Sequence, residues 1–192
     1  MRKMQKVKLG DIAEVYSGLS YRRYLDDNGI KCNVIVQRSI KADGQLSDFE
    51  ELKLRDNIKD RFFSKPGDVL MKLPYPFDVV KVNTPGLVIS DRIAIIRMKK
   101  GYFDPTFISH LLTNAHVKKQ LHEAGGTERL SHVSIKEIKE LELNLPDIET
   151  QMKYGELLNT INEKIIQDQK VVEYDRRLKE GILNKIWGEC DD

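Results

Sequence analysis

The sequence predicts an α+β chain: a mixed α/β domain of short twisted strands with a supporting helix, followed by one long C-terminal pairing helix. Three observations lead there. Short apolar runs bounded by Pro-Gly turns fill the first hundred residues. Helix start signals follow at Asp104-Pro105 and at Ser134 with Glu137. After Pro146 the texture changes, and apolar residues recur at spacings of three and four with no proline from Ile148 to Trp187.

Taken in order, strands are expected at Cys32 to Ile40, Gly67 to Leu73, Asp78 to Asn83 and Arg92 to Met98. Lys65-Pro66-Gly67-Asp68 and Asn83-Thr84-Pro85-Gly86 place proline and then glycine as type II turns require. Asp104 caps a helix with Pro105 in its first turn, and Phe107, Leu111, Leu112, Ala115 and Leu121 give that single helix one apolar side until Gly125 and Gly126 stop it. Ser134 and Glu137 form a capping box over a short helix, and Leu141 to Leu145 alternates like a strand.

The final segment is read as a helix of about 40 residues, which at ~1.5 Å per residue is on the order of 60 Å long. Its seam contains Leu158, Ile161, Ile165, Val172, Ile182 and Ile186, interrupted by Asp168, Asp175 and Gly181. A helix of that length on so small a core needs a partner, and polar seam positions fix register at a cost in stability. The competing reading is a long surface helix packed on its own domain.

Charge divides the chain at the same place. The whole carries a net charge of +2. From Asp147 onward seven basic and eleven acidic residues give −4, which leaves +6 on residues 1–146. A basic domain joined to an acidic helix fits a polyanion on one part and a protein on the other. Two cysteines far apart, Cys32 and Cys190, argue against a disulfide framework. No apolar run approaches a membrane span and the start lacks a leader pattern, so a cytoplasmic protein without membrane association is expected.

Catalytic signatures are missing from the sequence. There is no Walker-type loop, dinucleotide fingerprint or paired Cys-x-x-Cys. His110, His116 and His122 are spaced by six, which spreads them around a helix, and Ser131-His132 lacks a nucleophile elbow. Asp43 with Glu51-Leu52-Lys53 is the one arrangement compatible with a metal-dependent nuclease. No catalytic residue, metal ligand or cofactor is assigned.

Polar, basic and aromatic loops remain. Tyr21, Arg22 and Arg23 join guanidinium forks to an aromatic ring, as phosphate, sugar and guanine contacts require. Arg38 lies at the end of the first expected strand, which leads to Lys41. Lys72, Tyr75, Lys81 and Asn83 flank a Pro-Tyr-Pro loop, and Thr127, Arg129, Ser131 and His132 fill the stretch GGTERLSHVSIKE. Together they read as a loop-built surface for double-stranded DNA. Each loop alone has the plainer alternative of a solvated turn.

The order Lys8-Leu9-Gly10-Asp11-Ile12-Ala13 with Ser17-Gly18, Lys65-Pro66-Gly67-Asp68-Val69-Leu70, Ile89-Ser90-Asp91-Arg92-Ile93 and Phe107-Ile108-Ser109-His110-Leu111-Leu112 resembles the target recognition domain of type I restriction-modification specificity subunits. The resemblance continues through Gly126-Thr127, Leu130-Ser131, Ile135-Lys136, Ile138 and Leu145-Pro146-Asp147-Ile148-Glu149-Thr150-Gln151. It implies a recognition domain over residues 1–146 and a conserved helix over 147–192, non-catalytic, reading DNA for a methyltransferase subunit and a restriction subunit. S-adenosylmethionine and ATP would be bound by those partners.

Family members commonly carry two recognition domains and two such helices, whereas this sequence holds one of each. The resemblance therefore implies a homodimer with antiparallel helices reading a bipartite site. Two alternatives stay open: an interaction protein or decoy that binds the methyltransferase through its helix without reading DNA, and a divergent nuclease.

Overall fold

The structure, a computed structural model, describes residues 4–99, 101, 103–124 and 132–188. By contacts the chain divides into two compact units, Met1–Glu156 and Leu157–Asp192. The first is a layered α/β body. The second is helix throughout its described residues.

In the first unit β1 (Gln5–Lys8) runs through a one-turn helix α1 (Leu9–Ile12) into β2 (Ala13–Ser17). A 3-10 turn at Tyr21–Tyr24 leads to β3 (Leu25–Ile35), a second at Gln37–Ser39 follows it, and β4 (Glu50–Leu54) comes next. After a third such turn at Asp60–Phe62 come β5 (Val69–Lys72), β6 (Val79–Lys81), β7 (Val88–Ile89) and β8 (Ile93–Met98). Helices α2 (Pro105–Leu112), α3 (Ala115–Ala124) and α4 (Ile135–Glu140), strand β9 (Glu142–Leu145) and helix α5 (Ile148–Gly188) complete the order.

The strands form a four-stranded sheet β2-β8-β5-β6, a three-stranded sheet β4-β3-β7 and a pair β1-β9. Near-continuous apolar runs in β5 and β8 show why the larger sheet is central, since a strand covered on both faces has no polar side. Val69, Met71, Ala94 and Ile96 face a core shared with Phe107, Ile108, Leu112, Val117, Leu121 and Ile138 of the helices. The alternate residues Leu70, Ile93 and Ile95 meet Ile35 and Ile89 of the smaller sheet. On that sheet's other face Val34 and Val88 pack with Leu19, Tyr21 and Leu54. The period-2 alternation thus assigns each strand residue to one of two cores. Full burial of an aliphatic side chain in either is worth about 1.5–3 kcal/mol.

Several elements differ in extent from the sequence expectation. The strand expected to run to Ile40 ends at Ile35, where the backbone turns so that Ser39 Oγ accepts from Val36 N at 3.1 Å and donates to the Asp48 carbonyl at 3.0 Å. It begins earlier, at Leu25, with a bulge between Leu25 and Ile30 in its pairing with β4. The single helix expected from residue 105 is two: α2 ends at Leu112, and Asn114 Oδ1 accepts from His116 N at 2.9 Å to begin α3. The glycines expected to stop it, Gly125 and Gly126, lie outside the described residues.

Other signals match the structure. Asp104 caps α2 through Phe107 N at 2.6 Å, and the Ser134–Glu137 capping box is closed in both directions. Gly67 has φ +88° and Asp68 N donates to Lys65 O at 3.0 Å, the type II turn geometry.

The first turns of α5 belong to the first unit. Asp147 Oδ1 accepts from Thr150 N at 2.9 Å. Gln151, 2% exposed, donates to Pro146 O at 2.9 Å and accepts from Asp104 N at 3.1 Å. The amide side chain therefore satisfies backbone groups at the start of two helices. Gln151→Ala is expected to lower stability by about 1–3 kcal/mol by leaving those groups unpaired, read as a lower urea midpoint with an unchanged slope.

Candidate nucleic-acid interface

Strands β3 and β7 are parallel, with Val34 opposite Val88 and Ile35 opposite Ile89, so both chains leave the smaller sheet at the same end. There β3 turns into Gln37–Ser39 and β7 into Ser90–Arg92, with Ser90 N donating to Ile35 O at 3.0 Å. The Tyr21–Tyr24 turn reaches the same place, since Leu19 N donates to Ile89 O at 2.7 Å and Asp91 N to Leu19 O at 2.9 Å. Gly18 makes this close approach possible: a Cβ there would lie 2.3 Å from the carbonyl oxygens of Ile89 and Ser90. The glycine of the Ser17-Gly18 pair holds two loops together.

The loops enclose a polar cleft of about 190 Å³ lined by Ser20, Tyr21, Arg22, Ser90, Asp91 and Arg92. Arg22, Arg23 and Arg92 are exposed, and among the described residues none of them forms an ion pair. Guanidinium groups that form no ion pair, beside the acceptor Asp91 and two serine hydroxyls, can engage phosphates or base edges. Arg92 and Asp91 were not singled out as site residues by the sequence. Only the turn between β7 and β8 brings them beside Arg22.

Tyr21 has a different role from the ring contact expected of it. It is 9% exposed and packed with Val34, Val36, Leu54 and Val88, and its hydroxyl donates to Glu50 Oε2 at 3.1 Å. It anchors the turn that carries Arg22 and Arg23. The same Glu50 meets Arg38 Nη2 at 3.1 Å, so Arg38, 65% exposed, stands beside this turn. Lys41 pairs with Asp48, which holds that carboxyl below its ordinary range.

A second loop adjoins the cleft, because Leu73 N donates to Arg92 O at 3.0 Å. It carries Tyr75, 61% exposed and joined by a cis bond to Pro76, which precedes the buried Phe77. The Tyr75 ring stands edge-on to Phe77 and to His122, at centroid distances of 5.9 and 6.3 Å. His132 bridges to Pro74 in antiparallel fashion, so it borders the same loop. Thr127, Arg129 and Ser131, expected to contribute here, lie outside the described residues.

The remaining lysines are differently placed. Lys72 points its ammonium to Asp78 at 2.9 Å, with both side chains largely covered. Lys81 pairs with Val69 at the far end of β5 from Lys72 and donates to Thr106 Oγ1 at 2.9 Å. With Asn83 it sits away from the arginine cleft, so the five basic residues Arg22, Arg23, Arg38, Lys72 and Lys81 are not one group. Burial, and secondarily Lys81, push the His110 imidazole below its ordinary range.

The arrangement considered for a nuclease is used otherwise: Asp43 accepts from Gln45 N at 3.0 Å and Gln45 Nε2 at 2.8 Å within its turn, and Lys53 donates to Asp27 O at 2.8 Å. Among the described residues no group of three or more His, Cys, Asp or Glu is placed to hold a metal ion. No helix among them is long and apolar enough to cross a membrane.

In the second unit Ile161, Ile165, Val172, Ile182 and Ile186 are 46–54% exposed and Leu158 is half-buried. Gly181, expected to interrupt this seam, lies off it, two positions past Lys179, and the helix continues through it to Gly188.

A family model described as Type I restriction modification DNA specificity domain matches residues 1–173. No curated protein matches the sequence. Among solved structures the chain is similar to the HsdS subunit from Thermoanaerobacter tengcongensis, with TM-score 0.70 and 17% identity over 88% of this chain and 44% of that one. It is also similar to a chain from a structure described as the structural basis of complex assembly and conformational transition of the type I R-M system (TM-score 0.69, 17% identity, 88% and 44% covered). A third is the type I restriction-modification system S subunit from M. genitalium (TM-score 0.60, 11% identity, 93% and 44% covered). The chain spans less than half the length of each, and at these identities the likeness is one of fold.

Proposed function

The chain belongs to the type I restriction modification DNA specificity domain family, and from that premise we propose that it is a non-catalytic reader of double-stranded DNA. The observation that carries this reading is the cleft where Arg22 and Arg92 converge with neither in an ion pair among the described residues, flanked by Arg23, Arg38 and the exposed Tyr75. Guanidinium forks suit phosphates and the guanine O6/N7 edge, and the Asp91 carboxylate suits a cytosine amine. The loops leave rigid strand ends, which fixes the spacing of these groups.

In this reading the chain directs a methyltransferase subunit and a restriction subunit to a bipartite site, and S-adenosylmethionine and ATP chemistry belong to those partners. Two copies pair through the apolar seam of α5. Its support is the row of half-exposed isoleucines on one helix face.

Phosphate contacts release counterions, so each contributes about −0.9 to the slope of log affinity against log salt. Arg22→Ala combined with Arg92→Ala is expected to flatten that slope by roughly one to two in the assembled complex, with Lys153→Ala as an unaffected control. An unchanged slope removes the cleft from the DNA path. Undiminished methyltransferase binding by a parent protein that has no salt-dependent DNA affinity favours the decoy reading instead.

A further inference from the structure

The tip of the β5-β6 hairpin holds one aromatic ring out from the first unit. Lys72 N donates to Asp78 O at 2.9 Å and its ammonium meets the Asp78 carboxylate, both side chains largely covered, so backbone and charge together close the neck of the hairpin. Leu73 to Phe77 make the tip, and both its ends are buried. Leu73 N donates to Arg92 O and Leu73 O accepts from Val133 N, each at 3.0 Å. Phe77 N donates to Pro74 O at 3.1 Å, which closes a turn around Tyr75 and Pro76.

Phe77 has φ +57°, a left-handed backbone that a bulky residue keeps only where its surroundings over-determine it. Its ring, 0% exposed in the larger core, does so. Tyr75, two residues away, is the most exposed large apolar side chain of the first unit among the described residues, at 61%. Its ring stands at 83° to Phe77 and 76° to His122, and no ring among the described residues stacks parallel on it. A rigid mount thus carries an open ring.

We propose that Tyr75 stacks on a nucleobase of the target duplex, filling a base step that is opened there. The proposal rests on the DNA-reading function above. Bases inside a duplex have both faces covered, so a ring reaches one only where a step has parted, as apolar wedges do in other complexes. A methyltransferase takes its target base out of the stack and leaves such a step. Arg92, hydrogen-bonded through its carbonyl to Leu73, sets a cation beside the ring, the pairing of charge and π face that suits an unstacked base. The arginine contributes the salt-dependent part of affinity and the neutral ring a salt-independent part.

The test uses the complex assembled with the methyltransferase subunit and a duplex carrying the site found by methylation mapping. Tyr75→Ala is expected to weaken binding about tenfold with an unchanged slope of log affinity against log salt, because the lost group is uncharged. Tyr75→Phe and Tyr75→Trp are expected to stay within about threefold of the parent, whereas Tyr75→Leu, apolar without a π face, is expected to bind like Tyr75→Ala. Circular dichroism and urea midpoints on the same variants check that the fold is retained.

With an abasic nucleotide moved along each strand, one position is expected where the difference between parent and Tyr75→Ala falls below about threefold, since the ring has lost its partner. A difference that survives at every position, or Tyr75→Leu at the parent's affinity, overturns stacking. Tyr75→Ala that binds DNA as the parent does but the methyltransferase subunit more weakly puts the ring in a protein interface and overturns the proposal. Parent-like DNA binding by Tyr75→Ala, with the salt slope still dependent on Arg22 and Arg92, overturns this proposal alone. A complex with no salt-dependent affinity for the duplex overturns the DNA reading and this proposal together.

Discussion

Ile165→Glu is expected to convert the paired protein into monomers at concentrations where the parent is dimeric. Ile165 is 46% exposed on its own helix, so the substitution leaves the folded domain untouched and acts only where a second helix would cover it. Burying an aliphatic side chain contributes about 1.5–3 kcal/mol. Two-fold symmetry doubles this to roughly 3–6 kcal/mol, a hundredfold to ten-thousandfold in dissociation constant. The carboxylate adds the cost of its own desolvation within the apolar seam. Arg177→Ala, which removes only a flank ion pair with Glu173, is expected to leave the mass unchanged. Light scattering that finds Ile165→Glu at the parent's mass removes the seam from the interface.

The parts of the fold legible in the sequence are those fixed by neighbours in the chain. Asp104 with Pro105, Ser134 with Glu137, and Pro66 with Gly67 each complete their hydrogen bonds within four residues, so their residue types alone announce them. The long helix is legible because its period persists over many turns. What required the structure depends on distant partners. β1, QKVK, has a single apolar residue and exists because β9 pairs with it along Gln5 to Lys8. The Asp26-Asp27-Asn28-Gly29 stretch looks like a turn but lies inside β3, where Gly29 approaches the Leu54 carbonyl so closely that a Cβ would stand 2.3 Å away.

The same distinction governs the site. Arg22, Arg23 and Arg38 are visible as cations in loops, and the structure gathers them at one strand end through Glu50 and the β3-β7 pair. Tyr21 looked identical in kind to an exposed contact residue, but its ring fills the outer face of the smaller sheet. Lys72 and Lys81 are also cations near a loop, and Asp78 and Thr106 hold them instead. Residue type gives the charge, and only the tertiary partner decides whether that charge is available. Arg92 shows the converse, a residue at a strand start whose side chain reaches the cleft because β7 and Leu19 place it there.

Symmetry gives the other large expected effect. If one domain reads one short sequence and two identical chains pair through α5, the interface is isologous and its two-fold axis is imposed on the DNA, as for other dimeric readers. The methylated site is then expected to be two inverted copies of one half-site, separated by unspecified bases that neither reader touches. A mismatch in either half costs about 1–3 kcal/mol per base pair, and equivalent positions in the two halves must cost the same because the same side chains read both. Mapping methylated positions in cells whose specificity protein is this chain alone measures the site directly. An inverted, gapped sequence agrees with self-pairing, and it should disappear in the Ile165→Glu strain while the Arg22→Ala, Arg92→Ala strain keeps the protein dimeric but loses methylation. Two unrelated halves would require a second, different reader in the complex. An ungapped site would mean that the two Arg22 clefts contact adjacent bases, which contradicts a pairing helix that holds two separate readers.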